Sequence, residues 1–221
     1  MAKRLAGNPM IDETPREAYA GGTPILSPYE LEAPLHLRKP ARIGVQFMGD
    51  LFHKDVSDKF IAEIWDVMTR CPEHTFSILT KRPDRMDKWA KSWHLLPFIN
   101  LWLGVSVEDQ KTADERIPIL LQIPAAKRFV SVEPMLGPVE FTHSEEEGFQ
   151  HNLLKGFDAE PKVPGIDWVI CGGLSLPGGK IQPPKKEWVD SLVQQCDGAG
   201  VPIFIKPNAK YPVERKDFPR G

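Results

Sequence analysis

Six short runs of β-branched and aromatic residues recur along the chain with room for one helix between most neighbours. This rhythm limits the possible folds more than any other feature. The runs are RIGVQF (42–47), TFSIL (75–79), LWLGVSV (101–107), RFVSV (128–132), DWVIC (167–171) and PIFI (202–205). Several are apolar on successive residues, as strands covered on both faces of a parallel sheet require. The stretches between them have helical periodicity. SDKFIAEIWDVMTRC places Phe60, Ile61, Ile64, Val67 and Met68 on one face, with Ser57 or Asp58 as N-cap. RPDRMDKWAKSW offers Met86, Trp89, Ala90 and Trp93 behind Pro83 and Asp84. DQKTADERIPILLQIP is helical until Pro118, which is expected to kink or restart it. PKKEWVDSLVQQCDGAG turns Trp188, Leu192 and Val193 inward and stops at Gly198 or Gly200.

Strand followed by helix, repeated, predicts an α/β fold with a parallel sheet. Six strands fall short of the eight in a full (β/α) barrel, so the expectation is a partial TIM-like (β/α) barrel, with an open doubly wound sheet as the competing layout. Two regions break the rhythm. Residues 1–40 open on MAKRL, which reads as the back half of a helix, and continue into a Pro/Gly-rich loop. Residues 41–221 form the barrel domain, interrupted at about 141–165 by a segment expected to be a solvated insertion, with Ser144 and Glu147 as a capping box for one short helix.

Composition removes several classes. With 221 residues the chain can bury one sizeable core. No apolar run approaches the roughly 18 residues that would span a bilayer, and the N-terminus has no apolar signal region, so a cytoplasmic protein is expected. The three cysteines, Cys71, Cys171 and Cys196, are scattered, which fits neither a disulfide framework nor a metal site. A net charge of −2 displays no global field for nucleic acid, although the Lys/Arg-rich tail KPNAKYPVERKDFPRG offers a local one. Neither a GxSxG elbow nor a GxxxxGK[ST] loop occurs.

In parallel α/β folds the chemistry gathers at the carboxyl ends of the strands. In order, those ends carry Gly49-Asp50 with His53, Thr80-Lys81-Arg82, Ser106 with Glu108, Ser131 with Glu133, Cys171-Gly172-Gly173 with Ser175, and Lys206 with Asn208. Two of them repeat Val-Ser-Val-Glu, at 105–108 and 130–133, so adjacent strands are expected to present Ser and Glu side by side to one cavity. Glu108 and Glu133 are candidate acid/base groups, although Asp109 suits the N-cap of the following helix and a carboxylate after a strand is often only a cap. Lys81 and Lys206 are candidate amines for Schiff-base chemistry. Lys81-Arg82 also suits a phosphate or carboxylate. Gly172 and Gly173 would let a ligand approach the backbone, or make a flexible turn. No metal site is predicted.

The strings FMGDLFHKDV, HTFSILTKRPDRM, LWLGVSVEDQKTADERIPILLQIPA, RFVSVEPMLGPV and DWVICGGLSLPG, together with MAKRL, resemble an uncharacterised phage- and prophage-associated family grouped with the radical S-adenosylmethionine enzymes. The resemblance covers about residues 42–207. It implies a barrel binding S-adenosylmethionine, with Gly49 and Asp50 at the methionine ammonium. Ser106, Ser131, Glu108 and Glu133 would lie near ribose and substrate, and Gly172, Gly173 and Ser175 near adenosine. MGD departs from the GGE-type pattern of many radical enzymes. It also implies three thiolates holding a [4Fe–4S] cluster just before MAKRL. This sequence lacks them, so a first βα unit is expected upstream and the chain by itself is expected to be inactive in that chemistry. Two alternatives stand beside this reading: a phage accessory protein that binds a nucleotide or a partner without catalysis, and a Schiff-base barrel lyase.

Overall fold

The computed structural model of the chain describes residues 28–45, 49–93, 99–144, 150–157 and 162–219. A short helix α1 (Pro28–Leu31) and a 3-10 turn (Ala33–His36) lead into β1 (Arg42–Val45). There follow α2 (Asp58–Thr69), β2 (Thr75–Thr80), α3 (Pro83–Ser92), β3 (Leu101–Val107), α4 (Gln110–Gln122) and β4 (Lys127–Val132). A hairpin of β5 (Thr142–Ser144) and β6 (Gln150–Asn152) precedes β7 (Trp168–Cys171). A second hairpin, β8 (Leu174–Ser175) and β9 (Ile181–Gln182), leads to α5 (Lys186–Ala199) and β10 (Ile203–Ile205).

The six predicted strands form one parallel sheet in chain order, β1-β2-β3-β4-β7-β10, curled into a half-barrel. Sequential order without a reversal excludes the doubly wound layout, which needs a switch point. It also places the crossover helices on one side. Alternation along the strands then divides the side chains into two sets. Leu101, Leu103, Val105 and Val107 of β3, with Val130, Val132, Val169 and Cys171, join the helix-side core. Trp102, Phe129, Trp168 and Ile170 form a separate cluster on the concave face, with Leu79 and Phe204 against it. The concave face is thus aromatic towards the N-terminal end of the strands and carries Ser106 and Ser131 towards the C-terminal end.

Local chemistry fixes the helix ends. Ser57 caps α2, its side chain accepting from Phe60 N at 3.2 Å. Asp109, not Glu108, caps α4 through a capping box with Thr112. Gly200 ends α5 in the left-handed region at φ 71°. Pro118 does not interrupt α4, contrary to the sequence expectation: Ala113, Ile117, Leu120 and Leu121 keep a buried stripe running past it, and that burial offsets the lost backbone bond. On α5 the buried stripe is Val189, Leu192 and Cys196, with Trp188 and Val193 on its flanks, and Trp93 lies exposed beyond the end of α3.

The segment at 141–165 is also corrected. Ser144 ends a strand rather than starting a helix, and Phe141, Leu153 and Leu154 are buried in the main core. Glu147 and the MAKRL stretch lie outside the described residues. The outer edge of β10 is taken by the chain's own tail. Ile205 N donates to Arg215 O at 2.8 Å, and Trp168 Nε1 donates to Asp217 O at 2.9 Å. Among the described residues, no helix is long and apolar enough to cross a membrane.

Candidate functional site

Register brings the two Val-Ser-Val-Glu copies together. Ser106 pairs with Ser131, and Val107 with Val132. The serines are 6% and 2% exposed, and neither hydroxyl has a hydrogen-bond partner among the described residues. Neither oxygen is among the side-chain atoms fully enclosed without a partner, which among the described residues are Trp65 Nε1, His74 Nδ1, Trp89 Nε1 and Arg128 Nε, so both hydroxyls remain open to solvent. The row extends on both sides. Ser131 pairs with Ile170, and Lys81, one residue past the Thr80–Val105 pair, stands level with Ser106.

The two glutamates beyond the serines are both ion-paired, each in its own way. Glu108 accepts from Lys81 Nζ through Oε1 and from Arg116 Nη1 through Oε2 at 2.9 Å. Arg116 also donates to Ser106 O at 2.6 Å, so α4 holds the end of β3 from outside. Glu133 reaches across β7 to β10, where Lys206 Nζ donates to Oε2 at 2.5 Å and Asn208 Nδ2 to Oε1 at 3.2 Å. The two predicted Schiff-base amines are therefore both engaged by carboxylates.

The remaining rim residues bind one another. Asp50 accepts from Phe52 N at 2.9 Å, Thr80 Oγ1 at 2.7 Å, Lys81 N at 3.2 Å and Arg82 Nη1 at 2.5 Å. Its carboxylate ties the loop after β1 to the end of β2. A Cβ on Gly172 would stand 2.6 Å from Glu133 Oε1, and one on Gly173 would stand 2.4 Å from Asn208 O. The space these glycines leave is filled by the protein's own rim. Gly49 and Ser175 are exposed at the mouth, and His53 Nδ1 lies 3.5 Å from Asp55.

Cys71, Cys171 and Cys196 are all buried. Burial, reinforced by Glu133, pushes the Cys171 thiol up to about 12, and burial with Asp197 does the same for Cys196. Cys71 is raised by burial and by Glu73. Among the described residues no group of three His, Cys, Asp or Glu is placed to hold a metal ion.

A cavity of about 690 Å³ lies at the other end of the strands, between α5 and the tail, with Lys127, Asp167, Asp197, Arg215 and Asp217 in its wall. Its charges pair internally, Lys127 with Asp167 at 3.5 Å and Arg215 with Asp197 at 2.7 Å and Asp217 at 2.9 Å. The same pairs engage Arg215 of the basic tail.

Sequence reasoning located Ser106, Ser131, both glutamates and both lysines at one rim. It missed Arg116, although a helix that starts at Gln110 returns that residue to Glu108 after two turns. Comparison with curated proteins finds no match, and comparison with solved structures finds none either. Over residues 1–217 the chain matches the family model described as protein of unknown function (DUF5131), and it belongs to that family.

Proposed function

We propose that the chain is a ligand-binding half-barrel of the radical S-adenosylmethionine type found in phages and prophages, with its ligand in the mouth of the half-barrel on Ser106 and Ser131. The observation that carries this reading is the pair of serines in register on the concave face, whose hydroxyls have no hydrogen-bond partner among the described residues and stay open to solvent, below a rim of paired charges. The parallel strands in chain order support it, as does the clustering of polar residues at their C-terminal ends. The cysteines do not fit a [4Fe–4S] cluster: one follows α2, one ends β7 and one lies within α5, all buried. No step is therefore assigned to a cluster held by these residues, and reductive chemistry is proposed only for a protein that supplies three further thiolates. Engagement of Lys81 and Lys206 by glutamates favours a binding barrel over a Schiff-base lyase.

Calorimetric titration with S-adenosylmethionine, S-adenosylhomocysteine and adenosine tests the proposal. Saturable binding that weakens at least tenfold in Ser106→Ala/Ser131→Ala is expected. If none of the three compounds binds, the reading fails. Borohydride trapping of a carbonyl compound on Lys81 or Lys206 would favour the lyase instead.

A further inference from the structure

We propose that Lys81 is the anion hook of the mouth. The ligand on Ser106 and Ser131 carries a carboxylate or a phosphate, and Lys81 takes up that group by leaving Glu108. The inference rests on the ligand-binding reading above and adds the chemical class of the ligand.

The first support is position. Lys81, Ser106 and Ser131 occupy one row across β2, β3 and β4. One ammonium and two hydroxyls that have no protein partner among the described residues stand side by side at the mouth, donors that an anion's oxygens would satisfy. The hydroxyls alone would suit many ligands. The neighbouring cation narrows the choice to an acceptor that is negative.

The second support is that the rim's cations differ in their freedom to move. Arg82 is held by Asp50 at 2.5 Å. Arg116 is only 18% exposed and holds both Glu108 and Ser106 O. Among the described residues Lys206 is the single cation on Glu133, whose other partner there is the neutral amide of Asn208. Lys81 alone has slack. Its side chain is 51% exposed, and if it swings away Glu108 keeps the Arg116 guanidinium at 2.9 Å. No carboxylate is left without a counter-charge, the usual obstacle to opening an ion pair that is partly buried.

The test is a titration of the full chain with inorganic phosphate and, separately, with acetate, at constant ionic strength set with chloride. Saturable binding of at least one anion is expected, and the tighter of the two distinguishes a phosphate from a carboxylate ligand. The affinity should fall at least tenfold in Lys81→Gln and in Ser106→Ala/Ser131→Ala. It should be unchanged in Lys59→Gln, a lysine on the outer face of α2 whose side chain is 87% exposed. Binding that Lys81→Gln leaves intact overturns the proposal. If S-adenosylmethionine or adenosine binds while neither anion does, the hook is wrong and the ligand-binding reading stands. If nothing binds, both fall.

Discussion

Glu133 and Lys206 are joined across an intervening strand, and the contact exists because residue 172 at the end of that strand has no side chain. Parallel strands lie roughly 4.8 Å apart, so a carboxylate on β4 reaches β10 only by passing directly over the end of β7. Gly172 is the point it passes over, with a hypothetical Cβ 2.6 Å from Oε1 and 2.9 Å from Cγ of Glu133.

Substitution Gly172→Ala should therefore displace Glu133 and separate it from Lys206, at a cost of about 1 kcal/mol, because a flexible side chain can move aside. Gly104→Ala is the contrasting case. There a Cβ would lie 2.4 Å from Phe129 Cζ, within a ring that is fully buried under its neighbours. Its cost should lie at or above the upper end of the roughly 1–3 kcal/mol typical of overpacking. Urea unfolding of both variants checks the order, and equal losses would mean that Glu133 is as immobile as the Phe129 ring.

The two Lys–Glu pairs look alike in sequence and should respond differently to mutation. Lys206→Met removes the cation that Glu133 holds among the described residues and should cost about 1 kcal/mol, since a hydrogen-bonded carboxylate is left with the neutral Asn208 donor. Lys81→Met leaves Glu108 with Arg116 and should cost less than about 0.5 kcal/mol. Chemical denaturation of the two variants decides the matter, and a larger loss at Lys81 would contradict the freedom ascribed to it.

These contacts mark where sequence reading stops. Short β-branched and aromatic runs, several of them apolar on successive residues, and the helical stripes between them made all six sheet strands legible, and the parallel order put Lys81, Ser106, Glu108, Ser131, Glu133 and Lys206 at one end. Their pairing was not legible. Glu133 and Lys206 are 73 residues apart, and their meeting depends on strand order and on the side chain that Gly172 lacks at the end of the strand between them. The core role of the segment after β4 left a usable signal in Phe141 and Leu153-Leu154, but the surrounding run of glutamates masked it. The tail left almost none, because the backbone of a strand that pairs at an edge through residues such as Arg215 and Asp217 has no apolar alternation to announce it.

The thiols predict an alkaline instability. In the folded chain Cys171 and Cys196 stay protonated up to about 12, because burial opposes the thiolate. In the unfolded chain thiols ionise near 8.5. The folded state then holds more protons than the unfolded state between those values, so the contribution is intact below about 8.5 and is lost as pH rises towards 12. Each thiol should remove up to about 1.4 kcal/mol per pH unit within that window. Urea midpoints measured from pH 8 to 10.5 should fall, and fall less steeply in Cys171→Ala/Cys196→Ala. Native protein at pH 8 should react with a thiol reagent only as fast as it opens. Immediate labelling would show that these side chains are accessible.

The half-barrel is drawn together at its N-terminal end by a contact between the first strand and the tail. Arg42 on β1 lies 4.7 Å from the ring centre of Phe218 and 5.7 Å from that of Trp102. Phe218 in turn packs 5.0 Å from Trp168 and 5.5 Å from Phe204, so one aromatic ring bridges the two extremes of the sheet. Phe218→Ala should cost about 1–2 kcal/mol through lost apolar burial and aromatic packing. Arg42→Ala should cost about 0.5–1 kcal/mol through the cation–π contact. If the contact closes the sheet, the losses are not independent: with Phe218 gone, Arg42 has less to hold, and the double variant should be less destabilised than the two single losses together. A double-mutant cycle by urea unfolding measures that coupling directly. Strict additivity would mean that the tail is held by its contacts with β7, β10 and α5, and that β1 stands apart from it.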